Sequence, residues 1–278
     1  MRFCGHFLFA ILFFLSCEQA KKEKKADPSP AGYDFNEAEK TSLPEDLDEI
    51  SGIVNDSAGR LVAINDEEGV LYRFLLSDLK QLEDYRFHKG ADFEETISVS
   101  PYWYALKSNG TLYRISNAFS NSPEVKSYQF PPKGQHEFEA MLHDQAKNRI
   151  LIFCKICGKV PAAEPEVFAF DLSTETYDSV PVFKISLNPV QQEELGKNSK
   201  LQISGAAVHP VSGDWYFVAS ASGVLITTDH SGKCTQLIKL GKKQFKQPEG
   251  ICFAPNGDMF ISNEAKTGIA NVLRFKIK

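Results

Sequence analysis

The 278-residue chain has no surplus of positive charge: its formal net charge is −5, or −6 once Arg2 leaves with the leader described below. A nucleic-acid binder needs a basic face to displace counterions, so that class is set aside. Beyond residue 17 no apolar run is long enough for a membrane-spanning helix. There is no G-x-S-x-G elbow, no G-x-x-x-x-G-K-[ST] phosphate loop and no H-E-x-x-H pair. Cysteine is scarce. Cys4 falls in the leader and Cys17 at its end, which leaves Cys154, Cys157, Cys234 and Cys252. In an exported chain, Cys154-Lys155-Ile156-Cys157 fits a local disulfide, or no bond, better than a redox centre. A zinc site would need Cys234 and Cys252 to approach from elsewhere. His88, His136, His143, His209 and His230 are scattered, with no metal-ligand spacing on one strand.

What is present begins with an address. Residues 1–17 join Arg2, the apolar run Phe7 to Leu15, Ser16 and Cys17. This is the pattern of a bacterial lipoprotein leader, with Cys17 acylated as the new N-terminus; a conventional signal peptide is the alternative, and both export the chain. Residues 18–32 are rich in Lys, Glu and Pro without apolar periodicity, so they are expected to form a solvated tether. The expected location is the cell envelope, on the outer membrane or the periplasmic face, with the membrane reached through the lipid. A monomer is expected.

From residue 33 onward the sequence repeats. Similar segments begin at Ile50, Phe93, Phe138, Ile203 and Pro248. Each opens on an apolar residue or proline followed by Ser or Glu. Strand-length apolar runs then alternate with polar turns such as Ser212-Gly213 and Asn256-Gly257. Phe is frequent, at 21 residues, and suits half-buried strands. The equivalent positions Ser51, Glu94, Glu139, Ser204 and Glu249 are spaced by 43, 45, 65 and 45 residues. Four antiparallel strands in about 45 residues is the unit of a β-propeller, whose blades bury their faces against one another around a ring. The fold class is therefore all-β: one propeller over residues 33–278. Five blades is the direct count, and the long third interval leaves six open. That interval holds residues 188–200, expected to form a short surface helix. The last copy is one strand short, and residues 33–42 stand where an outer strand belongs. They are expected to complete the last blade and lock the ring. Trp103 and Trp215, at matching second-strand positions, are expected between blades.

The strings LDEISGI, DFEE, EFEA and QPEGICFAPNGDMFISNE resemble the SdiA-regulated, YjiK-like family of exported bacterial propellers over roughly residues 40–278. The resemblance implies a propeller with a metal-binding axial region, and implies no defined activity. Ser51 and Ser204 depart from a uniformly acidic ring.

In a propeller the innermost strands line the central channel, so ring symmetry brings Glu94, Glu139 and Glu249 together as candidate metal ligands. Glu49, Asp92 and Glu137 lie two residues before the equivalent positions and share a strand face with them. Asn65-Asp66 and Asn263-Glu264 end second strands near the same mouth. The ligand-binding candidates are Glu49, Asp66, Lys107, Lys155, Asn263 and Glu264. Crowded carboxylates suit Ca²⁺, which takes six to eight oxygens in flexible geometry. Two other readings stay open: a structural network in which Lys107 and Lys155 pair with the acids, and a carboxylate acting as general acid or base. The function expected is a binding or scaffold module with an axial calcium site and an unidentified small-molecule or protein ligand. The alternative is a calcium-dependent hydrolase of the lactonase, phosphatase or phosphodiesterase kind.

Overall fold

A computed structural model describes Met1 and residues 29–56, 59–131, 134–158, 164–265 and 268–278. The leader, the acylation candidate Cys17 and most of the tether lie outside the described residues. The chain folds into five antiparallel sheets arranged as the blades of a propeller. The five inner strands are Ile50–Asn55, Phe93–Val99, His136–Asp144, Gly205–Val208 and Pro248–Phe253. Each lies beside the inner strands of the two adjacent blades, and the fifth lies beside the first, so the ring closes.

Side-chain alternation builds the core. Successive residues of a strand point to opposite faces, so each blade feeds two clusters. In Leu61–Asn65, Leu61 and Ala63 pack towards the fifth blade, whereas Val62 and Ile64 pack towards the second. Five such clusters, each between two neighbouring blades, carry the buried apolar surface of the described residues. Trp215 is buried between the third and fourth blades, and Trp103 is partly buried between the first and second. Both occupy the inter-blade places expected of them.

The closing strand is as anticipated. Glu39–Ser42 pairs antiparallel with Asn271–Phe275 and supplies the outer strand of the fifth blade. The segment before it is also fixed. Phe35 is buried against Phe245 and Phe275, with ring centroids 5.0 and 4.9 Å away. The Tyr33 hydroxyl donates to the Gly257 carbonyl at 2.6 Å and lies 2.9 Å from His209 Nε2.

The long third interval is not a sixth blade. The outer strand of the third blade is broken into Thr176–Tyr177 and Phe183–Lys184, both paired with Glu166–Asp171. A helix follows over Pro189–Leu195, shorter than the stretch 188–200 expected from composition. Asn188 and Gln191 form a capping box at its start. Gly196, at φ 120°, adopts a backbone that ends it. Cys154 and Cys157 form a disulfide, while Cys234 and Cys252 are free, buried and in different inter-blade clusters. The four cysteines do not assemble a zinc site.

Candidate functional site

The acids of the axis sit on irregularities in the inner strands. Phe93 pairs with Lys107 and Glu95 with Leu106, which leaves Glu94 unopposed. Phe138 pairs with Cys154 and Ala140 with Phe153, which leaves Glu139 unopposed. On the partner strand Glu137 pairs with Ile156, so Lys155 is left over as well. In the fifth blade Glu249 and Gly250 together face Ser262, and in the first Ser51 and Gly52 face Ile64. A bulge inserts an extra residue and re-aims its side chain. Repeated in four of the five blades, it turns Ser51, Glu94, Glu139 and Glu249 towards the channel mouth; the fourth blade pairs without a shift, and its Ser204 hydroxyl donates to the Pro248 carbonyl instead. The Cys154–Cys157 disulfide brackets Lys155 within its bulge.

These residues line a cavity of about 390 Å³ at the mouth. Its walls are Asp66, Asp92, Glu94, Glu137, Glu139, Glu249 and Glu264, with Lys155, Gln247, Ser51 and Ser108. Seven carboxylates thus face one ammonium. Lys155 Nζ donates to Glu139 Oε1, and Gln247 Nε2 donates to Glu264 Oε2. Glu49 reaches the site through a hydrogen bond between its carboxyl and that of Glu264. Two buried oxygens on this cavity, Asp66 Oδ1 and Gln247 Oε1, accept no hydrogen bond.

Burial and crowding hold protons on these acids. Glu94 is pushed up to about 9, first by burial, then by Glu139 and Asp92, with Lys155 opposing. Glu264 is pushed up to about 8 by burial, by its hydrogen bond with Glu49 and by Glu249. Glu249 rises to about 7 through burial and the charge of Glu139, and Asp66 to about 6 through burial, Glu49 and Glu67. Burial also raises Glu139, against the pull of Lys155. Burial works against the charge of Lys155, yet Glu139, Glu94 and Glu249 hold it above the usual lysine value.

Below the mouth the channel is filled. The column that follows the bulge residues reads Gly52, Glu95, Ala140, Gly205 and Gly250. Four are small because the inner strands approach closely there: a Cβ on Gly52 would lie 1.9 Å from Glu95 Oε1, and one on Gly250 would lie 2.7 Å from the Ser51 carbonyl. The exception, Glu95, takes the space the others leave. It is fully buried, and its carboxyl accepts from the backbone N–H groups of Thr96 and Ala206. Its Oε2 has no partner, and burial lifts its pKa well above the usual carboxylate value. On the far side lies a separate, mostly apolar pocket of about 550 Å³, lined by Ile97, Leu142, Trp215, His143 and Cys252 among others. It shares no lining residue with the acidic mouth.

The remaining expectations divide. Lys155 belongs to the site, but Lys107 does not line the mouth; its backbone N–H closes a turn onto Thr111. Asn263 is buried and donates to Asn271 Oδ1 at 3.1 Å, away from the cavity lining. His136 is half-buried beside Phe130 and Phe138. Sequence reasoning missed Gln247, Ser108 and Glu95. For Glu95 a signal existed, as the one large residue in a column of small ones.

The donor set suits a hard cation: carboxylate and amide oxygens, two of them orphaned, with a large excess of negative charge. Among the described residues no group of three His, Cys, Asp or Glu side chains already stands in an arrangement that would hold a metal ion.

No protein-family model matches the chain, and no curated protein does. Solved structures do. The glutaminyl cyclase of Myxococcus xanthus is similar at 12% identity and a TM-score of 0.59, over 86% of this chain and 94% of that one. A luciferin-regenerating enzyme is similar at 9% identity and a TM-score of 0.54, over 86% and 95%. A gluconolactonase from Xanthomonas campestris is similar at 8% identity and a TM-score of 0.51, over 87% and 90%. At such identities the likeness shows the propeller fold and leaves the chemistry to be argued from this chain's own residues.

Proposed function

We propose that this chain is an exported, lipid-anchored binding module of the cell envelope, of the SdiA-regulated kind, whose acidic mouth takes up calcium. One observation carries the reading: seven carboxylates share a cavity of about 390 Å³ with a single lysine. Self-repulsion on that scale is relieved either by protons or by a cation, and calcium tolerates a wide, irregular oxygen shell. Glu94, Glu139 and Glu249 would hold it, with Asp66, Glu264 and the Gln247 carbonyl oxygen completing the set. Lys155 would offset the charge left on Glu139. The bulges fix where Glu94, Glu139 and Glu249 enter the mouth, and Glu95 with the glycines around it would close the axis beneath the ion.

Calorimetric titration of calcium into chelator-treated protein at pH 8 tests this. Saturable binding is expected, weakened at least tenfold in Glu94→Gln and Glu249→Gln. Absence of binding, or equal affinity in both variants, contradicts it.

A calcium-dependent hydrolase is the second reading, favoured by room for a substrate. A cleft of about 470 Å³ continues from the mouth and shares Glu139, Lys155, Gln247 and Glu249 with it. When bound, the cation would polarise a carbonyl or phosphoryl oxygen there. Turnover of lactones or phosphodiesters, lost in Glu139→Gln and Glu249→Gln, would establish it. Turnover that survives both substitutions would remove the mouth from any catalytic role.

A further inference from the structure

The cleft beside the mouth reverses the sign of the charge. Its far wall carries Lys242 and Lys246, and its near wall is the Glu139–Lys155 pair with Gln247 and Glu249. Ser220, Ser222 and Gln202 add hydrogen-bonding groups between them. Among the described residues neither Lys242 nor Lys246 has a carboxylate within 4.0 Å, although acids short of counter-charge line the adjoining cavity. Opposite charges that share one cleft and stay unpaired leave a gap that suits a ligand.

The platform that presents these lysines is rigid. They lie on the loop between the strands Cys234–Lys239 and Pro248–Phe253. Phe245 of this loop is buried between Phe35 and Phe275, and Gln244 Nε2 donates to the Phe35 carbonyl at 2.8 Å. The N–H groups of Gln244 and Phe245 both reach the Gly241 carbonyl at 3.0 Å. On the opposite lip Leu240 N–H donates to the Gly223 carbonyl at 2.8 Å, and the Ser222 hydroxyl donates to the Lys200 carbonyl at 2.8 Å. The backbone that carries the two lysines is therefore anchored beside the mouth, while their exposed side chains reach into the cleft lining.

We infer that this cleft takes a small ligand bearing an anionic oxygen group, a phosphoryl or a carboxylate, which rests against Lys242 and Lys246 while its other end reaches the cation of the acidic mouth. The inference rests on the cation reading and adds the class of ligand. Lysine ammonium groups act as point charges on such oxygens without demanding one geometry. The nearby cation would add to the attraction, so the ligand should bind better to calcium-loaded protein than to protein stripped of it.

Phenylphosphonate and benzoate are the probes, titrated calorimetrically at constant ionic strength with and without saturating calcium. At least one is expected to bind the calcium-loaded protein, and the tighter of the two distinguishes a phosphoryl from a carboxylate site. Lys242→Gln/Lys246→Gln should raise its Kd tenfold or more. Lys243→Gln, on the same loop but outside the cleft lining, should change it less than twofold. Calcium affinity should stay within twofold in both variants, and their Tm should match the parent. If calcium binds but neither probe does, or if the double variant retains the probe, the inference is overturned and the cation reading stands. If calcium itself fails to bind, the cation reading falls and the bridging ligand falls with it.

Discussion

Glu94 and Glu95 are neighbours in sequence with opposite environments, and the bulge between Phe93 and Glu95 separates them. Glu94 enters the mouth among other acids; Glu95 plugs the axis and accepts two backbone N–H groups. The folded state binds a proton at Glu95 that the unfolded chain releases above pH of about 4.5. Its contribution to stability is therefore complete below that value and fades as pH climbs through the raised folded value. Glu95→Gln keeps an acceptor for the N–H groups and cannot ionise. Thermal melts from pH 5 to 9 should show a flatter alkaline decline for this variant than for the parent. Glu95→Ala should instead cost about 2–5 kcal/mol, since it leaves two buried donors unpaired and opens a cavity. In the mouth, Glu249→Gln should stabilise the calcium-free protein at pH 8 by on the order of 2 kcal/mol, because the native site resists ionisation there. Part of this was legible in the sequence. Glu94, Glu139 and Glu249 recur at one place in the repeat, and recurrence plus ring closure is enough to bring them together. Lys107 was placed beside the acids because it ends a second strand, but it pairs directly with Phe93, whereas Lys155 is left over in a bulge.

The closing strand is the element on which the ring depends. Without Glu39–Ser42, the strand Asn271–Phe275 would expose an unpaired edge, a template for association with other chains. A chain beginning at residue 43 is expected to aggregate or to elute as oligomers in size-exclusion chromatography. Phe35→Ala should cost about 3–5 kcal/mol in urea unfolding, as befits a buried ring in an aromatic cluster. Tyr33→Phe should cost about 1 kcal/mol by removing the hydroxyl that joins Gly257 and His209. The closing strand could be foreseen because the last repeat is one strand short. The true end of the helix at Leu195 could not be foreseen from composition, because the turn at Gly196 rather than propensity stops it.

For the whole molecule, the acidic mouth ties stability to pH and, on the proposed calcium reading, to the cation. Glu249, Glu264 and Glu94 give up their protons across roughly pH 7 to 9, and a cation must displace those protons to bind. The calcium-free protein should therefore lose stability as pH rises through this range, and calcium should restore it. Calcium affinity should increase from pH 6 to pH 9 and level off above it. Opposite behaviour, with affinity falling as pH rises, would exclude carboxylates as the ligands. Cys17→Ala should move the protein from the membrane fraction to the soluble fraction of the envelope, with calcium binding unchanged. Five blades was the direct count, since each repeat is a unit that cannot bury its own faces, but six stayed open until the long third interval proved to hold a broken outer strand and a helix. The basic wall of the cleft was not readable, since Lys242 and Lys246 lie outside the repeated strings and gain meaning only beside the mouth.

Acids from different blades are proposed to form one cation site on the axis. Crystals grown in calcium and measured at a long wavelength, where calcium scatters anomalously, test it most directly. A single strong anomalous peak is expected at the mouth, contacted by oxygens of Glu94, Glu139 and Glu249. Well-ordered crystals with no peak there, or with the ion bound elsewhere and Lys155 still closing on Glu139, would contradict it.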